Sequence, residues 1–142
     1  MPALPNTFKA RISAGDRMIG CWLGLADLYA AEIMGTAGFD WVVVDGEHAP
    51  NDIRSIRDQL IALEASSSHG VVRLPVGETW MIKQALDIGA QTLLIPMVES
   101  AEQAAELVRA CRYPPDGVRG AGASLSRASR FSAIPDYVAT AN

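Results

Sequence analysis

The sequence predicts an α/β fold of the (β/α)8 barrel type, of which this chain carries about the first four βα units. Two observations predict it. The strand-like segments are near-continuous apolar runs, Val42-Val43-Val44 and Leu93-Leu94-Ile95 above all, and such runs mark parallel strands buried on both faces. The run from Trp41 to Val44 then breaks off in Asp45-Gly46-Glu47-His48-Ala49-Pro50-Asn51-Asp52. An apolar strand, a polar tip and a helix start are the layout of a βα unit with functional groups at the strand's carboxyl end.

The first predicted strand is 19–24, with a helix over about 27–36 that Asp27 caps and Gly38 follows. The second strand is 41–45, with a helix over 51–64 opened by Asn51-Asp52. The third is 71–74, with a helix over about 79–86 and Gly89 just past its end. The fourth is 92–98, with a helix over about 100–111, where Ser100 and Gln103 have the spacing of a capping box. Residues 112–131 hold Pro114-Pro115, Gly117, Gly120, Gly122 and four of the 12 basic residues, Arg112, Arg119, Arg127 and Arg130. A loop of this length is uncommon unless it is functional. A short helix over 134–141 closes the pattern.

A parallel barrel needs about 250 residues, and this chain has 142. Four parallel strands are either a small open sheet or half of such a barrel, and half a barrel leaves two unpaired sheet edges. Residues 1–142 are therefore expected to be the N-terminal part of one barrel domain. The net charge of −4 lacks the footprint of a general nucleic-acid binder. No apolar run approaches the roughly 20 residues that span a bilayer, and no signal-peptide core follows Lys9 and Arg11, so a cytoplasmic, non-membrane protein is expected. Cys21 and Cys111 stand far apart without a CxxC and are read as buried, reduced thiols.

In a parallel barrel all strand carboxyl ends share one face. The four ends deliver Trp22; Asp45, Glu47 and His48; Arg73; and Met97 with Glu99. This set suits proton abstraction beside a carbonyl. His48 is the candidate base, since free imidazole titrates near neutrality. Arg73 is the candidate partner of a developing enolate oxygen. Trp22, Asp45 and Glu47 are the candidate substrate-binding residues, and a divalent metal could hold a 2-oxo acid through its carboxylate and keto oxygens. Each has a plainer reading. His48 could cap a loop, Arg73 could be a structural ion-pair partner, and Asp45 could form a turn before Gly46. Glu47 could be solvated, Trp22 could belong to the core, and Glu99 could serve the dipole of the helix it opens. His69, in a Ser-rich stretch beside Gly70, is read as a solvated loop histidine. HExxH, GxSxG and Walker patterns are absent.

The strings Asp45 to Asp52, Val71-Val72-Arg73, Ile82 to Val98, Arg112-Tyr113-Pro114-Pro115, Gly117-Val118-Arg119-Gly120 and Arg127-Ala128-Ser129-Arg130 resemble the HpcH/HpaI class II aldolases. Within that family the strings resemble especially its 4-hydroxy-2-oxoheptanedioate aldolases. The resemblance implies a (β/α)8 barrel assembled as a homohexamer through a swapped helix. It implies reversible cleavage of a 4-hydroxy-2-oxo acid to pyruvate and an aldehyde, with magnesium, manganese or cobalt. It assigns His48 as catalytic base, Arg73 as enolate stabiliser and Asp87 as the aspartate that raises the histidine's basicity, although Asp87 falls at a helix-to-strand junction, on the rim opposite the strand tips in ideal barrel geometry. Its metal ligands sit in a Gln-x-Glu and a Gly-Pro-Ala-Asp segment, neither of which this sequence contains, so no metal ligand is expected among residues 1–142 and little aldolase activity from them alone. A sugar-acid aldolase of the same family, an assembly scaffold and an oxo-acid binding module without turnover are the alternatives.

Overall fold

A computed structural model describes residues 2–142, which form two compact units. The first comprises Asn6–Pro75 and Ala90–Leu94. It contains a four-stranded parallel sheet in the order β1-β2-β3-β4: β1 Gly20–Leu23, β2 Trp41–Asp45, β3 His69–Arg73 and β4 Thr92–Leu94. It also contains the helices α1 Thr7–Ser13, α2 Leu28–Thr36 and α3 Ile53–Glu64. In chain order a helix follows each strand, so the α/β pattern of four strand-then-helix units is present.

The apolar runs behave as their composition dictates. Val42, Val43 and Val44 are fully buried, and so is Val72 beside them. Burying one valine side chain contributes roughly 1.5–3 kcal/mol, an upper figure because an unfolded chain already hides part of its surface. Ala31 of α2 and Ile56, Leu60 and Leu63 of α3 complete this core. Asp27 caps α2 by accepting from the Ala30 N–H at 2.8 Å. Asp52, rather than Asn51, caps α3, in a reciprocal capping box with Ser55. Gly38, just past α2, has φ +92°, a left-handed position that favours glycine.

Several expectations are corrected. Strand β3 starts at His69, so His69 is no solvated loop residue. Its ring stacks on Phe8 of α1 at 5.1 Å, and its Nε2 lies 2.8 Å from the Thr92 hydroxyl. Burial lowers its pKa below the usual histidine value, because a charged imidazole is poorly solvated there. Helix α1 itself was not predicted. It is capped by Asn6, whose side chain accepts from Lys9 N–H at 2.9 Å, and Arg11 ties it to Asp40 at 2.8 Å. Strand β4 ends at Leu94, before Pro96, which lacks an N–H for the ladder, and before Met97, whose φ of +58° is not extended. Trp22 is half exposed rather than core, because β1 is an edge strand. Cys21 and Cys111 are free but only partly buried.

The second unit comprises residues 2–5, Val76–Gly89 and Ile95–Asn142. It holds α4 Thr79–Asp87, α5 Ala101–Cys111 and α6 Tyr137–Thr140. Ser100 caps α5 through the Gln103 N–H at 3.1 Å, but Gln103 answers to the Glu99 N–H at 2.8 Å, so the predicted box is only half formed. The stretch 112–131 is no structureless loop. Tyr113 and Arg119 are buried, a 3-10 turn spans Ala123–Leu125, and the Ser129 hydroxyl donates to the Ala123 carbonyl. Among the described residues no helix is long and apolar enough to cross a membrane.

Candidate active site at the strand tips

Parallel pairing sets Asp45, the last residue of β2, directly beside Arg73, the last of β3. Neighbouring strands lie about 4.8 Å apart, so their terminal side chains meet. The ladder runs one residue further, because the Gly46 N–H donates to the Arg73 carbonyl at 2.8 Å. A Cβ on Gly46 would lie 2.7 Å from that same oxygen, so only glycine fits without moving the strands.

Asp45 is buried, and its carboxylate is fully engaged. Oδ1 accepts from the Glu47 N–H at 2.9 Å, the His48 N–H at 3.2 Å and Arg73 Nε at 2.8 Å, while Oδ2 accepts from Arg73 Nη2 at 2.7 Å. Its pKa is held down to about 2, chiefly by the Arg73 bonds and then by the two backbone N–H groups, against the opposing effect of burial. Asp45 is thus both the turn former and the ion-pair partner.

Arg73 meets a second carboxylate, Glu47, whose Oε2 lies 2.8 Å from Nη1. The guanidinium sits 4.6 Å from the Trp22 ring centroid, within cation–π range. The other Glu47 oxygen, Oε1, stands 3.7 Å from His48 Nε2. The His48 side chain is 74% exposed, against 17% for both Glu47 and Arg73. The structure therefore brings Trp22, Asp45, Glu47, His48 and Arg73 together, with an accessible imidazole beside a braced guanidinium. Asn51 was read only for capping. Its Nδ2 donates to the Asp45 carbonyl at 2.8 Å, and its Oδ1 accepts from Ser55 and Gln59, which fixes the loop carrying His48. An amide directly after the proline of the tip was the available signal.

Asp87 belongs to the second unit, at the end of α4, where Arg119 Nη2 donates to it at 2.6 Å. Arg119 lies 4.4 Å over the Tyr113 ring and is 3% exposed. Composition gave no sign of a buried arginine here. Met97 and Glu99 are exposed in the same unit. Among the described residues no group of three or more His, Cys, Asp or Glu could hold a metal ion. The two tip carboxylates are spent on Arg73, so these residues do not by themselves fit a divalent metal.

The profile of the HpcH/HpaI aldolase/citrate lyase family matches residues 18–134. The chain is 67% identical over its whole length to a hydroxypyruvate/pyruvate aldolase of Roseovarius nubinhibens, covering 55% of that protein. It is 52% identical to a 4-hydroxy-2-oxo-heptane-1,7-dioate aldolase of Escherichia coli, over 98% of this chain and 53% of the other. Among solved structures, an HpcH/HpaI aldolase/citrate lyase family protein from Burkholderia cenocepacia superposes with TM-score 0.92 at 43% identity, over 96% of this chain and 56% of that one. The chain spans about half the length of the curated relatives it matches.

Proposed function

The chain belongs to the HpcH/HpaI aldolase/citrate lyase family, and from that premise we propose that it carries the base and the enolate-stabilising group of a pyruvate aldolase. The reaction is reversible cleavage of a 4-hydroxy-2-oxo acid to an aldehyde and either pyruvate or hydroxypyruvate. The names of the Roseovarius and Escherichia coli relatives support that substrate class. One observation carries the reading: an exposed imidazole next to a guanidinium that Asp45 grips at two nitrogens and Glu47 faces at the third, on adjacent strand tips.

In the synthetic direction His48 Nε2 takes a proton from the methyl carbon of the 2-oxo acid, and the keto oxygen becomes an enolate oxygen facing Arg73. A permanently charged, preoriented donor stabilises that oxygen at no cost of reorganisation. Asp45 acts through Arg73, fixing the plane of its guanidinium. Trp22 covers one face of that group and supplies an apolar wall. Asp87 is retained as the aspartate that tunes the base, on the resemblance alone. A divalent metal, magnesium, manganese or cobalt, belongs to the proposal as a cofactor whose ligands lie on segments this sequence does not contain. We also read the protein as homo-oligomeric on the same family grounds and, from its charge and hydropathy, as cytoplasmic with no nucleic-acid or membrane partner.

The test is proton exchange of the pyruvate methyl group in D2O, followed by proton NMR with and without each of the three metals. We expect slow exchange, little changed by added metal because the described residues hold no ligand group for it, that is lost in both His48→Gln and Arg73→Met. Exchange that survives His48→Gln, or no exchange and no pyruvate-induced shift of the His48 ring signals, overturns the reading.

A further inference from the structure

We propose that the Glu47 carboxylate is a built-in occupant of the anion seat on Arg73, lying where the reacting end of a 2-oxo acid must lie, and that it swings away when the acid binds. This rests on the role given to Arg73 above.

A guanidinium offers five N–H groups in one plane. Asp45 takes the Nε and Nη2 side, at 2.8 and 2.7 Å. Trp22 covers one face, at 4.6 Å. The Nη1 side remains, and Glu47 Oε2 fills it at 2.8 Å. The second oxygen of the same carboxylate stands 3.7 Å from His48 Nε2. That is too long for a hydrogen bond and is ordinary van der Waals contact. One carboxylate therefore bridges the two groups assigned to the chemistry.

Its shape matters. The oxygens of a carboxylate flank one carbon, as the keto oxygen and methyl carbon of pyruvate flank the carbonyl carbon. A methyl ketone laid over the Glu47 carboxylate puts its oxygen on Arg73 and its C–H beside His48. Charge argues the same way. Asp45 already neutralises Arg73, so Glu47 makes the cluster net negative and opposes an incoming anion. An ion pair of this partly exposed kind is weak enough to exchange with a ligand. Glu47 is then an internal competitor rather than a ligand of the substrate.

The experiment titrates the chain, its Glu47→Ala variant and its Glu47→Gln variant with acetate and with pyruvate. Binding is read from the NMR signals of the His48 ring and the Arg73 Nε–H, and folding from circular dichroism. Removing the competitor should tighten both anions by about fivefold, the equivalent of about 1 kcal/mol. Glu47→Gln keeps the side chain's size and decides the matter if the alanine variant does not fold. Tighter acetate without tighter pyruvate upholds the seat and removes the oxo-acid reading. Equal or weaker binding of both anions in folded variants overturns the proposal.

Discussion

The molecule contains the same device twice: an arginine laid on an aromatic ring and bonded to a carboxylate. At the strand tips it is Arg73 with Trp22 and Asp45, and in the second unit it is Arg119 with Tyr113 and Asp87. The ring distances are 4.6 and 4.4 Å, so the packing is nearly identical. Access differs. Tyr113 is fully buried and Arg119 almost so, whereas Trp22 is half exposed and an accessible histidine stands nearby. The sealed copy even leaves Arg119 Nε and the Tyr113 hydroxyl without hydrogen-bond partners among the described residues. A charged pair becomes chemistry only where a ligand can reach it; sealed, the same pair is architecture.

The sharpest way to break this comparison is to remove each arginine. Arg119→Met should cost about 3 kcal/mol of stability, because it leaves the half-buried Asp87 carboxylate without its cation and the Tyr113 ring without its cover. Arg73→Met should cost about 2 kcal/mol, since Asp45 keeps two backbone donors, and it should abolish pyruvate binding. Urea unfolding with pyruvate titration checks both, and equal losses in the two variants would erase the distinction drawn here.

Acid sharpens it next. The Asp45 pKa is depressed from 3.8 to about 2, so its stabilising effect is complete above pH 3.8 and is lost as pH falls toward 2. The loss is about 2 kcal/mol, seen as a falling urea midpoint that Asp45→Asn should flatten. The smallest effect is at the ring. Trp22→Leu should weaken pyruvate binding by about threefold, in line with roughly 0.5–1 kcal/mol for a partly exposed cation–π contact, and leave the thermal midpoint nearly unchanged.

Much of this was readable from residues alone. The run Trp41 to Val44 and the abrupt Asp45 to Asp52 fixed strand β2, its tip and the helix after it, because apolar continuity and cap chemistry are local signals. That Asp45 and Arg73 share a rim was readable from the strand ends; their pairing was not, because the register that sets them side by side needs both strands in place. What stayed hidden depends on distant partners. His69 reads as a loop residue until Phe8 and Thr92 are placed against it. Arg119 reads as one more loop cation, because burial of a charge is signalled only by a carboxylate 32 positions away. The early end of β4 was missed because Leu93-Leu94-Ile95 continues apolar while Pro96 and Met97 turn the backbone.

The contact between the Gly46 amide and the Arg73 carbonyl has a wider consequence. It involves main-chain atoms only, so, provided residue 46 stays glycine, the gap between the two strand ends does not depend on the side chains beyond it. Residues 47, 48 and 73 can be exchanged while the frame beneath keeps its dimensions, which lets a family built on this scaffold retune its reactivity without refolding.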